Sequence, residues 1–117
     1  MEATIETKAL KAAATYLERR GFEIIEEKWA HGNDSVDIIA REDEDLVFID
    51  VQVKDDGSRE MPEEKPDRDR FERIAAAYLA EADDETNFAV RYDIISLLVI
   101  GDSKALLRHH RNALSAL

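Results

Sequence analysis

Two apolar segments joined by the acidic turn EDED limit the fold of this chain more than any other feature. Residues 35–41 and 46–54 are rich in the β-branched and aromatic side chains that favour strands, and only residues 42–45 separate them. Strands with so short a connection pair antiparallel, so the chain must contain a β-hairpin. Each strand nevertheless carries one aspartate within its apolar run, at Asp37 and Asp50.

The two aspartates are predicted to face each other across this hairpin. A turn centred on residues 43 and 44 pairs Asp37 with Asp50 and Ser35 with Gln52. Directly opposed Cβ atoms lie about 5 Å apart, and carboxylates at that distance repel unless a cation or a shared proton lies between them. Two interpretations stay open. Charged residues protect edge strands from aggregation, whereas two carboxylates on one face are what a hard divalent cation needs.

The rest of the chain predicts the element order αβββαβα in one domain of residues 1–117. Short connections make the first three strands an antiparallel meander, and an intervening helix favours a parallel fourth strand. We therefore expect a mixed α/β sheet flanked by helices, ending in a C-terminal helix with Ser103 as its N-cap. The predicted elements are helix 3–20, strands 22–29, 35–41 and 46–54, a mobile charged loop 55–66, helix 66–82, strand 90–100 and helix 103–115.

Composition limits the classes of function. The formal net charge is −11, which opposes nonspecific attraction to nucleic acid or to an anionic membrane, so a nucleic-acid role would need a local basic patch or a bound cation. The candidate patches are Arg68 with Arg70 and Arg73, and the run 108–111. The absence of cysteine excludes disulfides and thiolate metal sites. Without an apolar membrane span or a signal-peptide pattern, we expect a cytoplasmic protein that does not bind membranes.

Several segments resemble one known family. VDIIAREDEDLVFIDVQVK resembles the GEIDLIA…LVFVEVK core of the YraN-like family, which belongs to the PD-(D/E)xK restriction-endonuclease-like superfamily. AATYLERRGFEIIEEKW and RFERIAAAYLA are similar to the first helix and strand and to the second helix of that family. VRYDIISL resembles its RFDVV strand, and RHHRNAL its HxxNAF ending. The resemblance implies a restriction-endonuclease-like αβββαβ core and a metal-dependent endonuclease that acts on DNA.

The resemblance carries over to the site only in part. Asp37 matches the metal-binding aspartate of the family, and Asp50 stands in place of the glutamate of EVK. These two residues are therefore implied ligands of a weakly bound Mg²⁺ or Mn²⁺. Gln52 replaces the lysine that helps to activate water, and Ser35 replaces the glutamate of GEID. Lys54, on the same face as Gln52, could supply the missing charge, which makes Gln52 and Lys54 the candidate catalytic residues beside the two aspartates.

Three functions stay open at this stage. The first is a metal-dependent nuclease with an altered site, which includes a catalytically degenerate form. The second is a non-catalytic module that binds nucleic acid or protein and keeps the nuclease fold. The third is a homodimer that forms through the uncovered edge of the hairpin.

Two further residues are expected to have structural roles. Asp93 is predicted to be a partner of Arg91 or of a neighbouring helix, and His109 is predicted to cap or to pack rather than to bind a metal.

Overall fold

The apolar segments of the chain form one mixed sheet in the computed structural model, which describes residues 4–82 and 89–115. The strands lie in the order β1-β2-β3-β4-β5, with β3 and β4 parallel and every other neighbouring pair antiparallel. The predicted meander, the parallel fourth strand and the mixed α/β class are confirmed. The elements are α1 (Ile5–Arg19), β1 (Glu23–His31), β2 (Asp34–Glu42), β3 (Asp45–Lys54), α2 (Arg68–Ala82), β4 (Val90–Ile100) and β5 (Lys104–His110).

The two helices cover opposite faces of the sheet. On α1, Ala9, Ala13 and Leu17 recur at the spacing of one helical face, and they pack with buried residues of β2, β3 and β4. On α2, Ile74 joins a second cluster that contains Phe48 of β3 and residues of β4. Strand β4, which lies between β3 and β5, is therefore covered on both faces, and this explains its almost continuous apolar sequence.

The hairpin register agrees with the sequence prediction over its paired length. Glu42 lies opposite Asp45, and the ladder continues from there to Ile38 opposite Ile49. Asp43 adopts the left-handed conformation with φ 53°, which aspartate tolerates better than most residues, and this allows a tight turn without glycine.

The predicted C-terminal helix 103–115 is wrong. Residues Lys104–His110 form strand β5, which pairs antiparallel with β4 from Ile100 opposite Lys104 to Ile94 opposite His110. Leu and Ala favour helices when only local preference decides. Here the segment pairs with β4 instead, and it provides hydrogen-bond partners for the backbone groups along the outer side of that strand. Gly101, with φ 65°, lies in the turn between the two strands, so Ser103 belongs to a hairpin turn and is not an N-cap.

The charged loop before α2 is anchored at one end only. Glu64 forms an ion pair with Arg108 at 3.0 Å and contacts His110, and the Pro62 carbonyl accepts a hydrogen bond from Arg108. Residues 55–57, 59 and 60 are exposed. We predict that limited proteolysis cuts first within 55–60, because the hydrogen bonds from the Ser58 N–H to Asp56 and from the Glu60 N–H to Ser58 lie within the loop and do not join it to another element. First cleavage within 61–66, monitored by mass spectrometry, would contradict this assignment.

Candidate functional site

Strands β2 and β3 stop pairing at the first aspartate. The ladder ends at Ile38 and Ile49, and one residue further on the Asp37 carboxylate accepts a hydrogen bond from the Val51 N–H at 2.7 Å. A side chain thus replaces the backbone carbonyl that a continued ladder would supply. Asp37 is therefore held against β3 at the point where the hairpin opens.

The second aspartate, Asp50, is bound by an arginine from α2. The Arg70 guanidinium donates to the two carboxylate oxygens of Asp50, at 2.7 and 2.9 Å, in the bidentate geometry that arginine favours. The Tyr92 hydroxyl donates to the same carboxylate at 2.6 Å, and Arg70 also donates to the Ser35 carbonyl. Both oxygens of Asp50 thus have donors from the protein itself.

This arrangement changes the proton affinity of three groups. Burial, together with the nearby charge of Asp50, raises the pKa of Asp37 above its ordinary value, although the Val51 N–H opposes this. The hydrogen bond to Asp50 raises the pKa of Arg70, and burial followed by the charge of Asp50 raises the pKa of Tyr92. The fold therefore stabilises the ionised form of Asp37 poorly, whereas Arg70 remains positively charged.

The other predicted site residues do not converge on the aspartates. The Gln52 side-chain amide donates to the hydroxyl of the buried Ser96 at 2.7 Å, so it is directed to β4 and is not paired with Ser35. Lys54 is the last residue of β3, and its ammonium forms no ion pair within residues 4–82 and 89–115. The structure therefore brings together Asp37, Asp50 and Arg70, with Gln52 and Lys54 further along the strand.

The donor set does not fit a divalent cation while Arg70 is bound. Within the described part of the chain, no group of three or more histidine, cysteine, aspartate or glutamate side chains could hold a metal ion. Asp50 contributes the oxygens that a cation would need, but Arg70 and Tyr92 already occupy them. The positive charge at this position comes from a guanidinium, so metal binding by Asp37 and Asp50 stays a prediction that requires Arg70 to move.

A second polar cluster lies at the end of the sheet where α1, β4 and β5 meet. The carboxylate of Asp93 is fully buried and accepts hydrogen bonds from Arg91, from the Asn112 N–H at 2.9 Å and from His109 at 2.8 Å. His109 also contacts the Tyr16 hydroxyl through Nδ1 at 3.2 Å. The predicted Asp93–Arg91 pair and the packing role of His109 agree with these contacts.

These hydrogen bonds outweigh the cost of burying the charge. Burial alone would raise the pKa of Asp93, but the bonds from His109, Arg91 and Asn112 lower it below its ordinary value. Arg91 also pairs with Glu42 and Asp45, at 2.8 and 3.1 Å, so one guanidinium neutralises several acids. The cluster therefore joins the hairpin turn to β4 and β5.

Both basic clusters predicted from the sequence are neutralised. Arg70 binds Asp50, and Arg73 binds Asp34 through two hydrogen bonds of 2.9 Å. In the second cluster, each side chain contacts an acid of another element: Arg108 and His110 contact Glu64, His109 contacts Asp93, and Arg111 contacts Glu42. Neither cluster offers a free basic patch to a nucleic acid.

Sequence reasoning missed the specific partners of Asp50. Arg70 stood out only as one member of a charge cluster, and Tyr92 did not stand out at all. Tyr92 reaches Asp50 because β3 and β4 pair in parallel with Phe48 opposite Tyr92. One sequence signal could have placed Arg70 near this strand. Arg70 lies next to Phe71 and four residues before Ile74 in α2, and both of these side chains pack on the face of the sheet that contains Phe48.

Comparison with known proteins identifies similar chains of the same size class. A model of the uncharacterised protein family UPF0102 matches residues 11–97. A UPF0102 protein of Roseiflexus castenholzii is 36% identical over 90 residues, which cover 74% of this chain and 73% of that relative. A UPF0102 protein of Beutenbergia cavernae is 32% identical over 104 residues, which cover 86% and 87% of the two chains. The family match includes both aspartates and Arg70.

Proposed function

This chain belongs to the uncharacterised family UPF0102, and from that premise we propose that it is a nuclease-fold protein that binds DNA without cleaving it. The observation that carries the non-catalytic part is the bidentate contact between Arg70 and Asp50, because it engages both oxygens of a carboxylate that the family resemblance implies as a metal ligand. The DNA-binding part rests on the resemblance to the restriction-endonuclease-like superfamily. Fold-level likeness supports a substrate class but does not fix an activity.

The residues around Asp50 support the loss of cleavage. Metal-dependent hydrolysis of a phosphodiester needs a cation that activates water and stabilises the developing charge. Gln52, at the position of the family lysine, carries no charge and its amide is directed to Ser96. Arg70 has the charge, but its guanidinium is held by a carboxylate on one side and by the Ser35 carbonyl on the other.

A second function, a weak metal-dependent nuclease, is favoured by one observation. The Val51 N–H holds the Asp37 carboxylate against β3, near enough to Asp50 for the charge of Asp50 to add to the rise in the pKa of Asp37 that burial causes. In this alternative, a phosphate of the bound DNA would attract Arg70 and release Asp50 to join Asp37. Asp37 and Asp50 would then hold Mg²⁺ or Mn²⁺, and the cation would activate water and stabilise the charge that develops on the phosphate.

Two assays on the full chain separate the two functions. The first measures binding to single-stranded, duplex and branched DNA by fluorescence anisotropy, and the second measures cleavage of the same DNAs with Mg²⁺ or Mn²⁺. We expect salt-sensitive binding to at least one DNA form and no cleavage. Metal-dependent cleavage that Asp37→Asn abolishes would replace the proposal with the nuclease function, and no binding to any DNA would overturn both.

A reconstructed site tests whether the nuclease chemistry was inherited. The variant Ser35→Glu, Asp50→Glu and Gln52→Lys restores the three residues that the family pattern has at these positions. We expect it to gain cleavage with Mg²⁺, whereas Gln52→Lys alone should be tolerated because the added cation offsets the charge of the two aspartates. A folded triple variant that is inactive on every DNA form would contradict descent from an active nuclease.

The proposal also includes location and assembly. Neither α1 nor α2, the helices of the described chain, is long and apolar enough to cross a membrane. We propose a cytoplasmic location, where the chain would meet DNA. The hairpin edge predicted as the dimer contact is not free, because β2 pairs with β1 and β3 pairs with β4. A homodimer through the β1 edge is the alternative assembly that remains, and light scattering tests it. The edge strand β1 carries Glu23, Glu26, Glu27 and Lys28, which disfavour edge-to-edge pairing.

A further inference from the structure

We infer that the outer face of helix α1 is the surface that binds the phosphate backbone of DNA. This inference rests on the proposed DNA-binding function and adds the place of contact. The face consists of Lys8, Lys11, Thr15 and Arg19, all exposed, with Arg20 beside them. These side chains border a shallow groove of about 650 Å³ that contains no acidic residue in its lining.

The helical spacing of α1 separates this basic face from the buried one. Ala9, Ala13 and Leu17 are buried against the sheet. Lys8, Lys11 and Arg19 lie on the opposite side of the same helix, since residues three, four or seven positions apart share a face. The cations of α1 are thus directed away from the protein for a structural reason.

Charge pairing distinguishes α1 from the other basic segments. The arginines of α2, β4 and residue 111 are ion-paired with acids of this chain. Among residues 4–82 and 89–115, Lys8, Lys11, Arg19 and Arg20 have no carboxylate within ion-pair distance. In a chain with a net charge of −11, this face is where an anionic polymer would meet uncompensated positive charge.

The face is also held rigidly. Thr4 caps the N-terminus of α1 by accepting from the Thr7 N–H at 3.1 Å, and the Tyr16 hydroxyl contacts His109, which binds the buried Asp93. The guanidinium of Arg20 lies over the Tyr16 ring, 5.1 Å from its centre. A helix fixed in this way loses little conformational entropy on binding, which favours affinity.

The spacing of the cations suits a phosphate backbone. Lys8 and Arg19 are separated by about 16 Å along the helix axis, at 1.5 Å per residue. One DNA strand carries a phosphate about every 3.4 Å along the duplex axis, so the face spans several phosphates. Lysine, arginine and threonine are also among the side chains that commonly contact phosphate oxygens.

The test compares two triple variants with the same change of charge. The first is Lys8→Gln, Lys11→Gln and Arg19→Gln on α1, and the control is Lys28→Gln, Arg59→Gln and Lys65→Gln, at exposed residues of other segments. Binding of fluorescein-labelled DNA is measured by anisotropy over a series of salt concentrations, and urea denaturation checks that both variants fold. We expect the α1 variant to bind at least about tenfold more weakly. The negative slope of log affinity against log salt should become shallower by about two to three, since each lost phosphate contact removes about 0.9 from its magnitude.

Each other outcome overturns the inference. Equal weakening of both variants would show a general charge effect, and unchanged binding by the α1 variant would show that DNA binds elsewhere while the proposed function stands. Polyglutamate that competes as well as DNA would indicate an acidic polypeptide partner instead. If the wild-type chain binds no DNA, this surface and the proposed function both fail.

Discussion

Replacing Asp93 with asparagine is expected to lower the free energy of unfolding by about 3 kcal/mol. The buried carboxylate accepts four hydrogen bonds, three of them from the side chains of Arg91 and His109, and an asparagine cannot accept them all. Disrupting a buried charged cluster from one side costs about 3–5 kcal/mol, and Arg91 keeps Glu42 and Asp45, which puts the expected loss at the lower end. Urea denaturation measures the change, and an unchanged midpoint would contradict the role of Asp93.

Asp37→Asn is the matched control, and its effect should have the opposite sign. The pKa of Asp37 is raised in the folded state, so its ionised form lowers the stability at neutral pH. This cost disappears as the pH falls from the folded-state pKa to the ordinary aspartate value of 3.8. The pKa of Asp93 is lowered, so its contribution is complete above 3.8 and is lost as pH falls through the folded pKa. We expect Asp37→Asn to be neutral or stabilising at neutral pH, with the gain disappearing in acid.

Arg70→Ala is expected to increase Mn²⁺ affinity about tenfold or more. The substitution removes a guanidinium from both oxygens of Asp50 and leaves two neighbouring carboxylates without that charge. A divalent cation then gains the electrostatic interaction that the arginine had, and tenfold corresponds to about 1.4 kcal/mol. Titration with Mn²⁺, followed by NMR relaxation, should broaden the amides near residues 37 and 50 first, weakly in the wild type and strongly in the variant.

Arg73→Ala controls for the loss of one arginine from α2. Arg73 binds Asp34 through two hydrogen bonds, as Arg70 binds Asp50, but Asp34 is not part of the acidic pair. Arg73→Ala should therefore leave Mn²⁺ binding near residues 37 and 50 unchanged. The double variant Arg70→Ala with Asp37→Asn should lose the increase in Mn²⁺ affinity that Arg70→Ala alone gives. Broadening that starts in the turn 42–45 or in the loop 55–66 would show that the two aspartates are ordinary strand charges.

Sequence reasoning predicted what depends on local patterns. The alternation of apolar residues and the length of the turn were sufficient for the hairpin register from Glu42–Asp45 to Ile38–Ile49. The spacing of Leu10, Ala13, Ala14 and Leu17 predicts the buried face of α1; three of these residues are buried, whereas Leu10 is only partly buried and Ala9 is buried as well. Each of these features depends on residues that are close together in the chain.

The errors concern features that depend on distant segments. Residues 104–110 contain good helix formers, but they form a strand because they pair with the edge of β4. The local sequence of residues 104–110 does not indicate that this edge is available. The site shows the same limit. Both aspartates were recognisable in the sequence, whereas the contact of Arg70 with Asp50 depends on how α2 packs against β3.

The parallel pairing of β3 with β4 has a consequence for the order of folding. The β2–β3 hairpin closes through a turn of two residues and can form within about 1–10 μs. The contact between Gln52 and Ser96 joins residues 44 positions apart, so it requires a slower, entropically costly loop closure. The contact of Arg70 with Asp50 joins residues 20 positions apart, so it also closes a longer loop than the hairpin turn does, and we expect the two aspartates to approach each other before the arginine arrives. Charge repulsion would oppose this early hairpin, and docking of α2 would relieve it by bringing Arg70 to Asp50. The electrostatic gain from Arg70 would then favour completion of the fold over return to the open chain.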